Sequence, residues 1–265
     1  MGTVIFEKDI HKCIVFDDIL GGRGDIQSNQ FLIIHNNEGL LYDIGGIKVM
    51  QPLYKEISKF ISPRNIKTIV LSHQDPDTGA GVNYWMQFTN FAIRTFVSSL
   101  WVRFIPHLCR SNFAKELFVA IPDKGMRLNL NGAEIILIPA HFLHSPGNFQ
   151  LYDTTSKILF SGDLGTSIPP SGGIYREKFS VVEVADCDEH VKYMEGFHKR
   201  YITSGKACRL WSKMVSELDI EIIVPQHGHR YFKGKDMVNR FIDWVGNLQC
   251  GIDLLDKNDF AIPKN

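Results

Sequence analysis

A short segment of this chain carries three metal-binding side chains at alternate positions. His73, Asp75 and Asp77 follow directly on the apolar run 66–71. Side chains at alternate positions beyond the end of a strand can reach the same small volume. Carboxylates that lie so close together repel one another unless a cation or protons intervene. The segment therefore indicates a metal site, and a solvated polar loop is the alternative for this segment taken alone.

Similar residues stand beyond three later apolar runs. The runs 134–138, 157–160 and 221–224 lead to His144, Asp163 and His227 respectively. Three imidazoles and three carboxylates exceed the four ligands of a structural zinc site. They suit two metals that share a bridging carboxylate, for which Asp163, with a glycine beside it, is the natural choice. Carboxylate and imidazole ligation without thiolate favours iron or manganese, with zinc as a further option.

These residues lie at the ends of elements that alternate between strand and helix. The predicted strands cover residues 31–35, 40–43, 68–71, 95–97, 134–138, 148–152, 157–160 and 221–224. The predicted helices cover residues 49–60, 82–88 and 189–218, the last weakened near Gly205. Two strand-rich halves, each accompanied by helices, favour an α/β sandwich with helices on its outer faces. No linker or low-complexity tract divides the chain, so we expect one domain over residues 1–265.

Composition argues against several classes of protein. Lys plus Arg and Asp plus Glu both number 29, so the near-zero net charge offers no electrostatic case for nucleic acid or an anionic membrane. No apolar run approaches the roughly 20 residues that span a bilayer. The amino terminus lacks the layout of a signal peptide, and five cysteines without a CxxC pair suit a reducing cytoplasm. We interpret the Arg-Gly-Asp triplet at 23–25 as an ordinary loop.

At the candidate ligands the sequence resembles the metallo-β-lactamase superfamily. The signature of that superfamily is His-x-His-x-Asp-His, followed by a His, an Asp and a last His at successive strand ends. Asp75 replaces the second His, which is similar to flavodiiron proteins and the related oxygen-binding diiron proteins, where a carboxylate stands there and two irons bind. The segments 140–149, 160–163 and 224–228 look like the later elements of those proteins. The resemblance runs from about residue 28 to residue 245 and implies a four-layer αββα sandwich of the metallo-β-lactamase type.

The resemblance also implies a role for each candidate ligand. The first metal would be held by His73, Asp75 and His144, the second by Asp77 and His227, and both by the bridging Asp163.

Two positions depart from the family pattern. Asp75 is one methylene shorter than the Glu that the family has there, and Thr78 stands where the family has a second-metal His. The second site therefore lacks an imidazole. His141, His229 or a tyrosine of the 193–201 region are candidates to complete it. We otherwise expect His141 and Thr78 to contact the ligands rather than the metals.

Two main functions are compatible with these residues. The first is a non-heme diiron protein that binds dioxygen or nitric oxide, as a sensor or as a reductase with an external electron donor. Flavodiiron enzymes carry a flavodoxin domain, for which the stretch after His227 is too short, so we expect no flavin in this chain. The second is a dinuclear hydrolase of an ester, lactone or phosphodiester. A binding module with structural metals is a third reading. A signalling partner and a homo-oligomer are both compatible with the sequence.

Overall fold

The computed structural model describes residues 1–17, 19, 27–109, 115–168 and 182–263. The Arg-Gly-Asp triplet at 23–25 lies outside the described residues. No helix within the described ranges is long and apolar enough to cross a membrane.

The first of two seven-stranded sheets has its strands side by side in chain order. They are β1 (Gly2–Lys8), β2 (His11–Phe16), β3 (Gln30–His35), β4 (Glu38–Tyr42), β5 (Ile66–Val70), β6 (Arg94–Ser98) and β7 (Phe118–Ile121). The pairs from β1 to β4 are antiparallel, and those from β4 to β7 are parallel. Parallel neighbours need crossover connections, which helices supply for β4 to β6.

The second sheet is built mainly from the carboxyl-terminal half of the chain. Its strands are β8 (Met126–Leu130), β9 (Ala133–Pro139), β10 (Phe149–Asp153), β11 (Ile158–Phe160), β12 (Val182–Glu183), β13 (Ile222–Val224) and β14 (Arg230–Lys233). Across the sheet they lie in the order β12, β14, β13, β11, β10, β9, β8. The central pair, β11 and β13, is parallel.

Helices cover the outer face of each sheet. They are α1 (Met50–Ile57), α2 (Pro76–Gly79), α3 (Val82–Phe88), α4 (Cys187–Tyr201), α5 (Gly205–Val215) and α6 (Lys235–Gly246). Short 3₁₀ helices cover Ile47–Val49, Pro63–Asn65, Ile105–Leu108, Lys115–Leu117 and Ile252–Leu254.

Three apolar clusters lie between the four layers. In β3, Phe31 and Ile33 point to the cluster between the sheets, whereas Leu32 points to the cluster beneath α1 and α3. This alternation is the period-two pattern of a strand that is buried on both faces. The third cluster joins the second sheet to α4, α5 and α6. The predicted αββα sandwich is confirmed.

Most predicted elements are present, with two kinds of difference. The helical region 189–218 is two helices, α4 and α5, with Ser204 capping the second by accepting a hydrogen bond from the backbone N–H of Ala207. A Cβ at Gly205 would lie 2.4 Å from the carbonyl oxygen of Leu248, so this junction requires glycine. The strands β1, β2, β7, β8, β12 and β14 and the helices α2 and α6 were not predicted.

Candidate metal centre

Three of the candidate ligands occupy equivalent places in the two sheets. His73, Asp163 and His227 each stand three residues beyond the last residue of a strand, namely β5, β11 and β13. In the second sheet, Phe160 of β11 pairs with Val224 of β13, so Asp163 and His227 leave the sheet at the same level. The parallel register therefore places a carboxylate beside an imidazole.

A tight loop between β9 and β10 delivers His144. Phe142 and His144 have positive φ angles of 65° and 123°, which are uncommon for residues other than glycine. The side-chain amide of Asn148 holds the loop by donating to the carbonyl oxygen of Leu143 at 2.8 Å. Ser145 Oγ also donates to Gln74 Oε1 at 2.8 Å, which ties this loop to the segment that carries His73 and Asp75.

Four of the predicted ligands form one group. Oδ2 of Asp75 lies 3.0 Å from Nε2 of His144 and 3.4 Å from Nε2 of His73. Asp163 closes the group, with Oδ1 3.8 Å from Nε2 of His73 and Oδ2 3.4 Å from Nδ1 of His144. Two atoms that each lie about 2.1 Å from one ion can be at most about 4.2 Å apart, so each of these pairs is close enough to share a cation, for which His144 would use one of its two ring nitrogens.

The remaining two predicted ligands form a second group on the other side of Asp163. Nε2 of His227 lies 3.4 Å from Oδ2 of Asp77 and 3.5 Å from Oδ1 of Asp163. The structure thus brings all six predicted side chains together, with Asp163 common to both groups.

Hydrogen bonds orient two of the imidazoles. Nδ1 of His227 donates to the carbonyl oxygen of Gln27 at 2.6 Å, since a carbonyl oxygen can only accept. In the neutral ring this leaves the Nε2 lone pair directed at Asp77 and Asp163. Nδ1 of His73 lies 2.8 Å from Oγ of Ser72, and its Nε2 likewise faces the carboxylates. Such bonds fix the ring orientation that metal-binding histidines require.

The carboxylates make the centre a site for positive charge. Burial by itself lowers the pKa of His73, but the charge of Asp163 and the hydrogen bond with Asp75 raise that pKa to about 9. The pKa of Asp75 lies well below its usual range, chiefly because of its hydrogen bonds with His144 and His73. Burial raises the pKa of Asp163, yet the neighbouring histidines bring it below its usual range. A protonated His73 thus neutralises part of the carboxylate charge.

The donor set fits divalent ions. Nδ1 of His144 and Oδ1 of Asp163 are buried and lack a hydrogen-bond partner among the described residues. Buried polar atoms are normally satisfied, so two unsatisfied atoms within this cluster of donors fit a cation site. The donors are oxygen and nitrogen without thiolate, which is the ligand chemistry of iron or manganese, and zinc is also compatible.

Thr78 forms hydrogen bonds with the backbone of the site. Its hydroxyl contacts the carbonyl oxygens of Asp75 at 2.7 Å and His73 at 3.0 Å, and its side chain is fully buried. These bonds close the turn at the start of α2. Thr78 therefore contacts the candidate ligand residues His73 and Asp75 through their main chain.

The residues that could replace the family histidine have contacts with other residues. Nε2 of His141 donates to the carbonyl oxygen of Asp123 at 2.7 Å, and within the described residues it has no hydrogen bond or ion pair with the six candidate ligands. Nδ1 of His229 lies 3.1 Å from Oδ2 of Asp17. The ring of Tyr201 packs near His144 with centroids 6.2 Å apart, on the side of the first group.

Sequence reasoning missed several residues that support the centre. Gln27 lies against the loop that carries His227, and its Oε1 accepts a hydrogen bond from the backbone N–H of Gly228. Asp43 accepts a hydrogen bond from the N–H of Ser72, and burial raises the pKa of Asp43 to about 7. Gln226 is fully buried beside Asp77. Only the position of Gln226, directly before His227, offers a sequence signal.

Another group of metal-binding residue types lies apart from this centre. Between the sheets, Oδ2 of Asp153 is 2.7 Å from Nε2 of His11 and 3.4 Å from Sγ of Cys13. Ser156 also donates to Oδ2 of Asp153, and the backbone N–H of Thr155 donates to Oδ1. Every polar atom of Asp153 is thus satisfied, and we interpret this cluster as a hydrogen-bonded part of the core.

Comparison with known proteins gives a family and several structural relatives. A family model described as ODP family beta lactamase matches residues 26–228. The structure described as the apo state of chemotaxis sensor ODP from T. denticola is 38% identical, with a TM-score of 0.82, over 96% of this chain and 97% of that chain. A structure described as a peroxy diiron species of chemotaxis sensor ODP is 39% identical, with a TM-score of 0.81 and the same coverage.

A more distant solved structure shares the fold, and two curated relatives match in sequence. A variant of the flavo di-iron protein from Thermotoga maritima has a TM-score of 0.73 at 17% identity, over 93% of this chain and 60% of that chain. An uncharacterized protein of Methanocaldococcus jannaschii is 28% identical, over 81% of this chain and 52% of the relative. The putative diflavin flavoprotein A 3 of Nostoc is 25% identical, over 88% of this chain and 39% of the relative. The chain spans about half or less of the length of these two curated relatives.

Proposed function

Because this chain belongs to the family described as ODP family beta lactamase, we propose that it binds dioxygen at a dinuclear iron centre and acts as an oxygen sensor. One iron would be held by His73, Asp75 and His144, the other by Asp77 and His227, and both by Asp163. Manganese or zinc could occupy the same donors, and iron is proposed because solved relatives at 38–39% identity include a diiron species.

The position of Asp163 is the observation that carries this proposal. Its Oδ1 lies 3.5 Å from Nε2 of His227 in the second group, and its Oδ2 lies 3.4 Å from Nδ1 of His144 in the first group. Oδ1 also lies 3.8 Å from Nε2 of His73 in the first group, so this carboxylate faces donors of both groups, as a bridge between two cations would. A single-metal site would not need this arrangement.

When bound, two adjacent ferrous ions supply electrons and open positions for a diatomic ligand. The protein contributes the geometry that keeps such a pair in place. Ser72 and Gln27 hold the rings of His73 and His227 with Nε2 toward the carboxylates. The three buried or half-buried carboxylates neutralise the positive charge that two cations would bring, which also disfavours strong Lewis-acid activation of water. Carboxylate-rich ligation thus supports oxygen binding over hydrolysis.

The sensor role is proposed from the relatives and from the ligand set. The similar solved structures are described as a chemotaxis sensor, and we extend that role to this chain. Nitric oxide resembles dioxygen in size and would bind the same open positions. Sustained reduction of either molecule would require an external electron donor, so we propose reductase activity only in the presence of such a partner.

The proposal is tested by metal content and by the response to air. Metal-free protein is reconstituted anaerobically with ferrous iron, passed through a desalting column and analysed for iron. We expect two irons per chain, and a change in the visible absorption spectrum when air is admitted. Protein loaded with zinc serves as the control, because zinc has no redox chemistry and should give no change.

Two results would contradict the proposed oxygen-binding function. Protein that takes up a single zinc and no iron would contradict the dinuclear iron centre. Rapid hydrolysis of a phosphodiester or lactone by the manganese or zinc form, with no response of the iron form to air, would assign the site to a hydrolase instead.

A further inference from the structure

The second group of donors is one ligand short. Asp77, His227 and the shared Asp163 supply three side chains, whereas the first group has four. Thr78 cannot fill the gap, because its hydroxyl is committed to the carbonyl oxygens of His73 and Asp75. A fourth donor must come from a side chain close to Asp77.

Gln226 is such a side chain. It is fully buried, and its Nε2 lies 3.4 Å from Oδ2 of Asp77. That separation equals the one between Nε2 of His227 and the same carboxylate oxygen. The Oε1 atom of Gln226 is buried and has no hydrogen-bond partner among the described residues. The side-chain amide of Gln226 is thus as close to Asp77 as the ring of His227 is, and its oxygen has no hydrogen-bond partner among the described residues.

The main chain holds Gln226 firmly in this place. Its N–H donates to the carbonyl oxygen of Gly162 at 2.8 Å, and its carbonyl oxygen accepts from the N–H of Asn29 at 2.6 Å. The first bond ties Gln226 to the turn that carries Asp163. Metal binding would therefore rotate the side-chain amide of Gln226 and leave its backbone in place.

We propose that Gln226 supplies, through Oε1, the fourth protein ligand of the second metal position. A rotation of the amide by half a turn exchanges Oε1 and Nε2, which have nearly the same shape. Without a cation, Nε2 faces the carboxylate of Asp77 as a donor. With a cation between Asp77 and Gln226, Oε1 turns toward the cation and gains a partner. Amide oxygens bind hard divalent ions, and they do so without adding charge.

This inference rests on the proposed dinuclear centre and adds a consequence to it. The first position has two imidazoles and a carboxylate besides the bridge, whereas the second has one imidazole, one carboxylate and a neutral amide. The two positions should therefore differ in affinity, with the second metal released first by a chelator. Gln226 would set how strongly that second metal is held.

The test compares metal binding by three variants, Gln226→Leu, Gln226→Glu and Gln30→Leu. Gln30 is the matched control, because it is also buried with an unpartnered Oε1 and has no contact with the candidate ligands in the described part of the chain. Ferrous iron is titrated anaerobically into each metal-free protein at pH 8, with calorimetry for affinity and elemental analysis for the amount bound. Circular dichroism confirms that each variant is folded.

We expect wild type and Gln30→Leu to bind two irons per chain. Gln226→Leu should bind the second iron at least about tenfold more weakly, while the first is unchanged. Gln226→Glu should keep the second iron, because its carboxylate oxygen can bind a metal. The carboxylate of Gln226→Glu cannot donate a hydrogen bond to Asp77 at pH 8. This variant therefore distinguishes a Gln226 that binds the metal from a Gln226 that only positions Asp77.

Each contrary outcome has a distinct meaning. Two irons bound to Gln226→Leu with wild-type affinities would overturn the role of Gln226 and leave the dinuclear centre standing. Loss of the second iron from both Gln226→Leu and Gln226→Glu would show that the amide only donates to Asp77. A wild-type protein that binds no second metal would overturn the dinuclear centre and this inference with it.

Discussion

Oδ1 of Asp163 lies 3.5 Å from Nε2 of His227, although the two residues follow different strands of the second sheet. Both stand three residues beyond the paired residues Phe160 and Val224. The contact is therefore an extension of the parallel register between β11 and β13. A shift of that register by one residue would separate the bridging carboxylate from the second group of donors.

Asp163 and Asp77 should differ in their effect on metal content. Asp163 faces both groups, so Asp163→Ala should lose both metals, whereas Asp77→Ala should keep about one iron per chain. Elemental analysis after anaerobic reconstitution measures the difference. Asp123→Ala, which changes an exposed carboxylate, is the control and should keep two. Retention of both metals by Asp163→Ala would show that the bridge is misplaced.

Thr78 should matter for stability more than for metal affinity. Thr78→Val keeps the shape of the side chain but removes the hydroxyl that contacts the carbonyl oxygens of His73 and Asp75. We expect the free energy of unfolding to fall by about 1–3 kcal/mol, because buried acceptors lose their donor. Urea denaturation of the metal-free protein measures this change. Thr78 would instead be a ligand if Thr78→Val kept its stability and lost the second iron.

His198 should make the metal-free protein less stable in mild acid. Its Nδ1 donates to the carbonyl oxygen of Met194 and its Nε2 accepts from the N–H of Gly165, so the buried ring is neutral. Burial lowers the pKa of His198 from 6.5 to about 4. Between these two pH values the unfolded chain binds a proton that the folded chain does not. The stability that the neutral ring of His198 contributes to the fold is thus fully present above pH 6.5 and is lost as the pH falls towards 4.

The size of that effect can be measured by difference. At pH 5, protonation of His198 in the unfolded chain should lower the free energy of unfolding by about 2 kcal/mol relative to pH 7. His198→Gln should be less stable than wild type at pH 7 but should lose less on going to pH 5. His107→Gln, at an exposed position, should follow the wild-type pH dependence. The same pH dependence in His198→Gln as in wild type would contradict a neutral buried ring.

Phe160 should be one of the main contributors to the packing between the sheets. Its side chain is fully buried, with the ring centroid 5.0 Å from that of Phe31 and 6.2 Å from that of Tyr42. Phe160→Ala should lower the free energy of unfolding by about 3–5 kcal/mol, because it removes a large buried ring and leaves a cavity. Leu210→Ala, at an exposed position of α5, should change it by less than about 0.5 kcal/mol. Thermal or urea unfolding of both variants checks this contrast.

Local sequence patterns predicted the fold class and the six candidate ligands. Apolar runs with turn residues at their ends predicted β5, β9, β11 and β13, and the residues after those runs carried the imidazoles and carboxylates. The strands β1 and β2 were missed because their sequences interleave charged residues with short apolar stretches. The helix α6 was missed although its buried side chains, such as Val238 and Phe241, have helical spacing.

Tertiary structure alone decided how the second donor group is arranged. Sequence spacing offered His141 and His229 as substitutes for the missing histidine, yet the loops direct them to Asp123 and Asp17. Gln226 lies far from Asp77 along the chain and has no periodic pattern that marks it. Its approach to Asp77 depends on how β13 pairs with β11 and on how the two sheets pack face to face. Contacts between residues distant in sequence arise from such packing, which no local pattern encodes.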